Sequence, residues 1–191
     1  KRMTHGWHYG MEGPHTDELY GLPDGVGEVL KSAYFAVRPR LAAFQREEIE
    51  QATKTRSLTS WSGRKLSFWG FKRRKGEWVL ADMKTALSFR PQRGVLDMLL
   101  WCLPRLEAMA REHGAQVLGC PHDSFWIHTP QAQAGVLAPK VKALMEREWP
   151  EIGELPGYGL FQCPADMSLG LNLGPRSEQN LDGLKKVKNA A

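Results

Sequence analysis

Three groups of residues in this chain have the types and spacing that chemistry needs. The first is Asp123, in the run Cys120-Pro121-His122-Asp123-Ser124. Residues Ala115–Cys120 and Ser124–His128 read as two strands around Pro121-His122-Asp123, which makes a β-hairpin with a tight polar tip. A carboxylate at such an apex can bind a hard cation such as Mg²⁺, which takes one or two carboxylates plus substrate phosphates. The plainer reading is a turn Asp that hydrogen-bonds its own backbone. The second group is Lys1, His5 and Tyr9, spaced i, i+4, i+8 on one helical face. A lysine is a compact charge suited to a phosphate. Two rings one and two turns on, the last roughly 12 Å from the lysine by helical rise, suit a base and a sugar. An ordinary amphipathic helix has the same pattern. His5 and His8 form an HxxH pair, but no further ligands stand at zinc-finger spacing. The third group is basic and aromatic. Arg64, Lys65, Lys72, Arg73, Arg74 and Lys75 alternate with Trp61, Phe68, Trp69, Phe71 and Trp78. Cations neutralise phosphates and aromatics offer stacking surfaces. A solvated basic loop over a small aromatic core fits equally well.

The elements that must position these groups follow from periodicity and breakers. Residues 1–12 read as a helix stopped by Gly10 and Gly13-Pro14. A second helix is expected over about 27–36, with Val29, Leu30, Ala33 and Tyr34 inward. Pro39 either breaks the pattern or opens the next helix, which covers 41–52. Residues 58–78 favour extended structure punctuated by Gly63, Gly70 and Gly76. Helix is expected from Leu80 to about Leu100 and again from Trp101 to His113, with breaks or kinks at Pro91 and Pro104 and a stop at Gly114. An amphipathic helix fits 138–149. Met167, Leu169, Leu171 and Leu173 alternate as in a strand buried on one face. The polar, basic segment after Gly174 is expected to be a mobile tail.

Composition bounds the reading. With 191 residues and 42% hydrophobic content the chain can build a core. No apolar run reaches the 18 residues of a membrane span, so no membrane partner is expected. Cys102, Cys120 and Cys163 are an odd number without CxxC spacing, which argues against a disulfide framework and for a reducing compartment. The 26 Lys+Arg against 21 Asp+Glu permit a polyanionic partner. A first residue that is Lys rather than Met suggests a processed or partial chain.

Taken in order, these segments resemble family A DNA polymerases, the bacterial polymerase I type found also in phages. The opening KRMTHGWHYGM is similar to the family's motif B, with Lys1, Tyr9 and Gly10 matching and His5 standing where the family has Phe or Tyr. AYFAVRPRLAAF (33–44) resembles its YFxxxPxxxxxW/F segment, and LTSWSGRKLSF (58–68) the TxxGRxR segment. Lys84, Ser88 and Gln92 fall at helix positions that in the family are Arg, Asn and Gln. HGAQVLGCPHDSFWI (113–127) resembles motif C, and CPADMSLGLNLG the closing palm strand. Two features depart. Motif C of the family has Glu after Asp, whereas Ser124 stands here. Motif A, which carries the second metal-binding Asp, has no match at Asp82, Asp97 or Asp166. Single-subunit RNA polymerases do carry His-Asp-Ser at this place, so such an enzyme is the alternative, and a non-catalytic nucleic-acid-binding module is another.

The resemblance implies an α+β fold: part of the helical fingers over 1–55, a palm with an antiparallel sheet over 56–174, and the tail from 175. It implies template-directed DNA synthesis from dNTPs on a primer-template, by a protein of the cytoplasm of a bacterium or phage-infected host. Two Mg²⁺ ions would be shared between Asp123 and a carboxylate outside this chain, on an N-terminal segment or second chain carrying motif A. Lys1 would act at the triphosphate, with His5 and Tyr9 against the nucleotide. His122, Lys84, Ser88 and Gln92 would face the minor groove of the primer-template, and Arg64 its backbone.

Overall fold

The computed structural model describes residues 2–74, 76–155, 157 and 159–187. Helices and short antiparallel strand pairs alternate in an α+β arrangement, as the sequence implies. The chain divides into two compact units, Lys1–Val95 and Leu96–Ala191.

The first unit opens with α1 (Arg2–His8), followed by α2 (Gly13–Tyr20), α3 (Val26–Ala36) and α4 (Pro39–Thr55). The sequence reading missed α2. Pro14 does not only end the preceding helix; it occupies the first turn of the next, where its missing N–H costs nothing. Pro39 opens α4 in the same way. Buried Asp17 on α2 accepts the Gly25 N–H at 2.8 Å and the Gly27 N–H at 2.5 Å, which fixes the loop into α3. Gly27 allows the two helices to touch, because a Cβ there would run into the Gly13 carbonyl. The apolar face expected to turn inward on α3 does not: Val29 is 69% and Leu30 41% exposed. The helix packs on α2 through Gly27 and on α1 through Tyr34, which leaves Val29 and Leu30 on the outside.

Two antiparallel hairpins follow, β1 (Ser57–Thr59) with β2 (Lys65–Ser67) and β3 (Phe71–Arg74) with β4 (Glu77–Leu80). Their inner residues Leu58, Phe68 and Leu80 pack with Ala52 of α4 and with Ala86 and Phe89 of α5 (Met83–Glu112). α5 is one 30-residue helix. Of the two readings at Pro91, inside the helix or at a break, the first holds, and the helix continues past Pro104, because packing of its apolar side outweighs two lost backbone hydrogen bonds. Gly114, at φ 63°, ends it as expected, and the Ala115 N–H returns to the Ala110 carbonyl at 2.8 Å.

In the second unit β5 (Gln116–Gly119) and β6 (Trp126–His128) form the expected hairpin. Its inward residues Val117, Phe125 and Ile127 pack on Leu106, Ala110, Ala115, Leu137 and Val141. The last two belong to α6 (Gln131–Met145), which starts seven residues earlier than its apolar period indicates and carries Pro139 within it. Two short pairs complete the unit, β7 (Glu154–Leu155) with β8 (Gly159–Leu160) and β9 (Ser168–Leu169) with β10 (Lys185–Lys186). Leu169, Leu171 and Leu173 alternate as predicted but are 40–73% exposed, since the segment pairs over only two residues and no second layer covers it among the described residues. The segment after Gly174 folds back: the Leu184 N–H donates to the Gly174 carbonyl at 2.7 Å and the Val187 N–H to Met167 at 2.8 Å.

Candidate functional site

The β5–β6 hairpin positions Asp123. One face of the ribbon is anchored on the core, while Leu118 and Trp126 lie on the other, exposed. At the tip the Ser124 N–H and the Ser124 hydroxyl both donate to the Pro121 carbonyl, at 3.1 and 2.9 Å. His122 takes φ 54° as the first central residue of the Pro121–Ser124 turn, which lies within the six-residue loop between Gly119 and Trp126. Ser124 therefore closes the turn. The Asp123 carboxylate, exposed at the apex, makes no hydrogen bond or ion pair among the described residues. A self-bonded turn aspartate is not what the geometry holds. No group of three or more His, Cys, Asp or Glu stands together among the described residues. One exposed carboxylate is not by itself a complete cation site, since Mg²⁺ takes one or two carboxylates plus substrate phosphates.

On α1, exposed His5 stacks edge-on to Tyr9, with ring centroids 4.9 Å apart at 80°. Tyr9 stands one residue past the helix, in the turn that Gly10 completes at φ 81°. Lys1 lies outside the described residues. The opposite side of α1 is tied down by Thr16, Tyr34 and Gln45, of which the sequence marks only Tyr34. The Trp7 indole donates to the Thr16 hydroxyl at 3.0 Å. His8 Nε2 pairs with the Tyr34 hydroxyl at 2.6 Å. The Gln45 amide donates to the carbonyls of Trp7 and His8 at 2.8 and 2.9 Å, which satisfies two acceptors at the helix end. Burial first, then the His5 and Arg38 charges, hold the His8 pKa below its ordinary value. Periodicity places Tyr34 inward but names neither its partner nor that of Gln45, because these contacts run 26–38 residues along the chain.

Asp82 starts α5. Its carboxylate accepts the Thr85 N–H at 3.0 Å and the Thr85 hydroxyl, and these bonds hold its pKa below the usual range. Lys84, Ser88 and Gln92 follow at four-residue spacing. Lys84 and Gln92 are exposed, and half-buried Ser88 donates to the Thr85 carbonyl at 3.3 Å. Arg64 is exposed in the loop between β1 and β2, where its carbonyl accepts the Ser60 N–H at 2.8 Å. Behind this surface buried Glu48 pairs with Arg90, whose Nε donates to the Thr59 carbonyl and whose Nη2 donates to Gln51, both at 3.0 Å. Burial raises the Glu48 pKa against the pull of the Arg90 charge. The structure thus brings together His5 with Tyr9, Lys84 with Ser88 and Gln92, and His122 with Asp123.

No family model matches the chain. The thermostable DNA polymerase I of Thermus thermophilus is 24% identical over 150 residues, 78% of this chain, and that of Thermus caldophilus is similar to the same extent. The POL domain of Pol1 from M. smegmatis, solved in complex with a DNA primer-template and dNTP, superimposes with a TM-score of 0.67 at 19% identity over 76% of this chain. The chain resembles a family A DNA polymerase. It spans 18% of the length of the curated polymerase I relatives it matches, and 26% of the solved polymerase domain. Among the described residues no helix is long and apolar enough to cross a membrane.

Proposed function

We propose that this chain is part of a template-directed DNA polymerase, in which Asp123 holds the catalytic cation jointly with a carboxylate supplied from outside these 191 residues. The observation that carries the reading is the apex itself. Ser124 closes the turn, so the Asp123 carboxylate is left free at an exposed tip within a segment similar to motif C. Bound Mg²⁺ would supply Lewis-acid activation of a primer 3′-hydroxyl and neutralise charge on the leaving pyrophosphate.

The chain's own residues orient and neutralise. Lys1 offsets negative charge developing on the triphosphate. His5 and Tyr9 pack against the nucleotide, and their mutual edge-to-face contact limits the rotamers each can take. His122, Lys84, Ser88 and Gln92 face the minor groove, whose purine N3 and pyrimidine O2 acceptors occur at every base pair. Such contacts check the shape of a pair rather than its sequence. Arg64 holds the duplex backbone.

Primer extension on the longest native form of the protein tests this. Asp123→Asn should lower dNTP addition by several orders of magnitude while the unfolding midpoint stays within about 2 °C, since the side chain is exposed. Near-normal turnover in that variant ends the assignment. Ser124 in place of the family's Glu favours a second reading, an RNA polymerase-like enzyme. Parallel assays with rNTPs separate the two.

A further inference from the structure

Between Gln51 and Gly76 the sequence carries eight Lys and Arg and no Asp or Glu. The whole chain has a net charge of +5, so this segment holds +8 and the remainder −3. Trp69 sits in the middle of it and is 84% exposed. Tryptophan ordinarily buries 150–250 Å², so an indole left almost wholly in water is a cost that packing within this unit does not recover.

The exposure is held in place. Phe68, one residue earlier, is buried in the core, and its N–H donates to the Arg56 carbonyl at 2.8 Å. Gly70, one residue later, accepts the Ala81 N–H at 3.0 Å. Phe71 packs half-buried against the same core, with the Arg56 guanidinium over its ring at 5.1 Å. The backbone is thus anchored on both sides of Trp69. Lys72 and Arg73 are exposed on β3 and follow within four residues, about 14 Å of extended chain.

We propose that this Trp69 segment binds single-stranded DNA, with an unpaired base stacked on the indole and the exposed Lys72 and Arg73 side chains, on either side of β3, reaching the flanking phosphates. Charge selects a polyanion. The indole selects a single strand, because the base faces of a duplex are closed to stacking except at its ends, while any unpaired base offers one. The proposal deepens the nucleic-acid reading above, and its test uses neither dNTP substrate nor metal, so the two fail separately.

The test is fluorescence anisotropy of the full chain with a labelled 20-residue oligo-dT and with a 20-base-pair duplex, over a salt series. Trp69→Ala should weaken oligo-dT binding about 5- to 100-fold and leave duplex affinity within about twofold. Trp69→Phe should restore most of the loss, since it keeps a stacking face. Lys72→Ala with Arg73→Ala should flatten the slope of log affinity against log salt for oligo-dT by about 1.4, two phosphate contacts' worth. Unchanged oligo-dT affinity in Trp69→Ala, or an equal loss on duplex and single strand, overturns the proposal.

Discussion

His122 shows how much of the apex is decided by one backbone angle. A non-glycine residue at φ 54° costs about 1–2 kcal/mol relative to glycine, yet the turn places a ring beside Asp123. Two substitutions separate the conformational cost from the chemistry. His122→Gly removes the strain and the imidazole together. His122→Ala removes the imidazole and keeps the strain. Both should lower primer extension about tenfold, the worth of one hydrogen bond to the primer-template. His122→Ala should be about 1 kcal/mol less stable than His122→Gly by urea unfolding. Equal extension in all three proteins would remove His122 from the DNA-facing set.

The elements were legible to different degrees, for physical reasons. The β5–β6 hairpin was readable because alternation, a Pro-His-Asp tip and a flanking Gly all act within fifteen residues. The helices around Val26–Ala36 and Pro39–Thr55 were readable from local period. The continuity of α5 at Pro91 is open in the sequence, since only tertiary packing decides whether a local breaker divides a helix. Of the candidate site, the tip and the His5–Tyr9 pair follow from local spacing. The Gln45 and Tyr34 supports and the Glu48–Arg90 pair join distant segments, so local period does not reveal the partners even where, as at Tyr34 and Glu48, it marks the residue. That last pair makes an asymmetric prediction. Glu48 is 2% exposed and Arg90 34%. Arg90→Ala strands a buried carboxylate and should cost about 3 kcal/mol at pH 8. Glu48→Gln leaves a cation that water and Gln51 still reach, and should cost about 1 kcal/mol or less. Because the folded pKa of Glu48 is raised above its ordinary 4.5, its protonated form favours folding. This contribution is full below about pH 4.5 and is lost as pH rises through the folded value. The Arg90→Ala deficit should therefore shrink as pH falls through that window, as urea titrations at pH 8 and pH 4.5 would measure. A deficit independent of pH would mean that Glu48 is not the group left stranded.

For the molecule as a whole, charge and carboxylates are distributed in a way that separates binding from chemistry. On the proposed reading the +8 segment and Lys84, Ser88 and Gln92 of α5 would supply the DNA contacts, and all of them lie within these residues. Phosphoryl transfer by the proposed route needs a second carboxylate beside Asp123, and among the described residues none is grouped with it. The 191-residue chain alone should therefore bind oligo-dT and duplex with a steep salt dependence, yet extend a primer no faster than a no-enzyme control. Adding a segment or partner chain that carries an Asp-bearing strand should restore extension by several orders of magnitude while changing DNA affinity only modestly. Side-by-side anisotropy and primer extension, on the chain alone and on the longest native form, make the comparison. Robust extension by the isolated chain would place the second carboxylate within these residues and refute the shared-site reading. Loss of both binding and extension in the isolated chain would instead show that the basic face is not the main DNA contact.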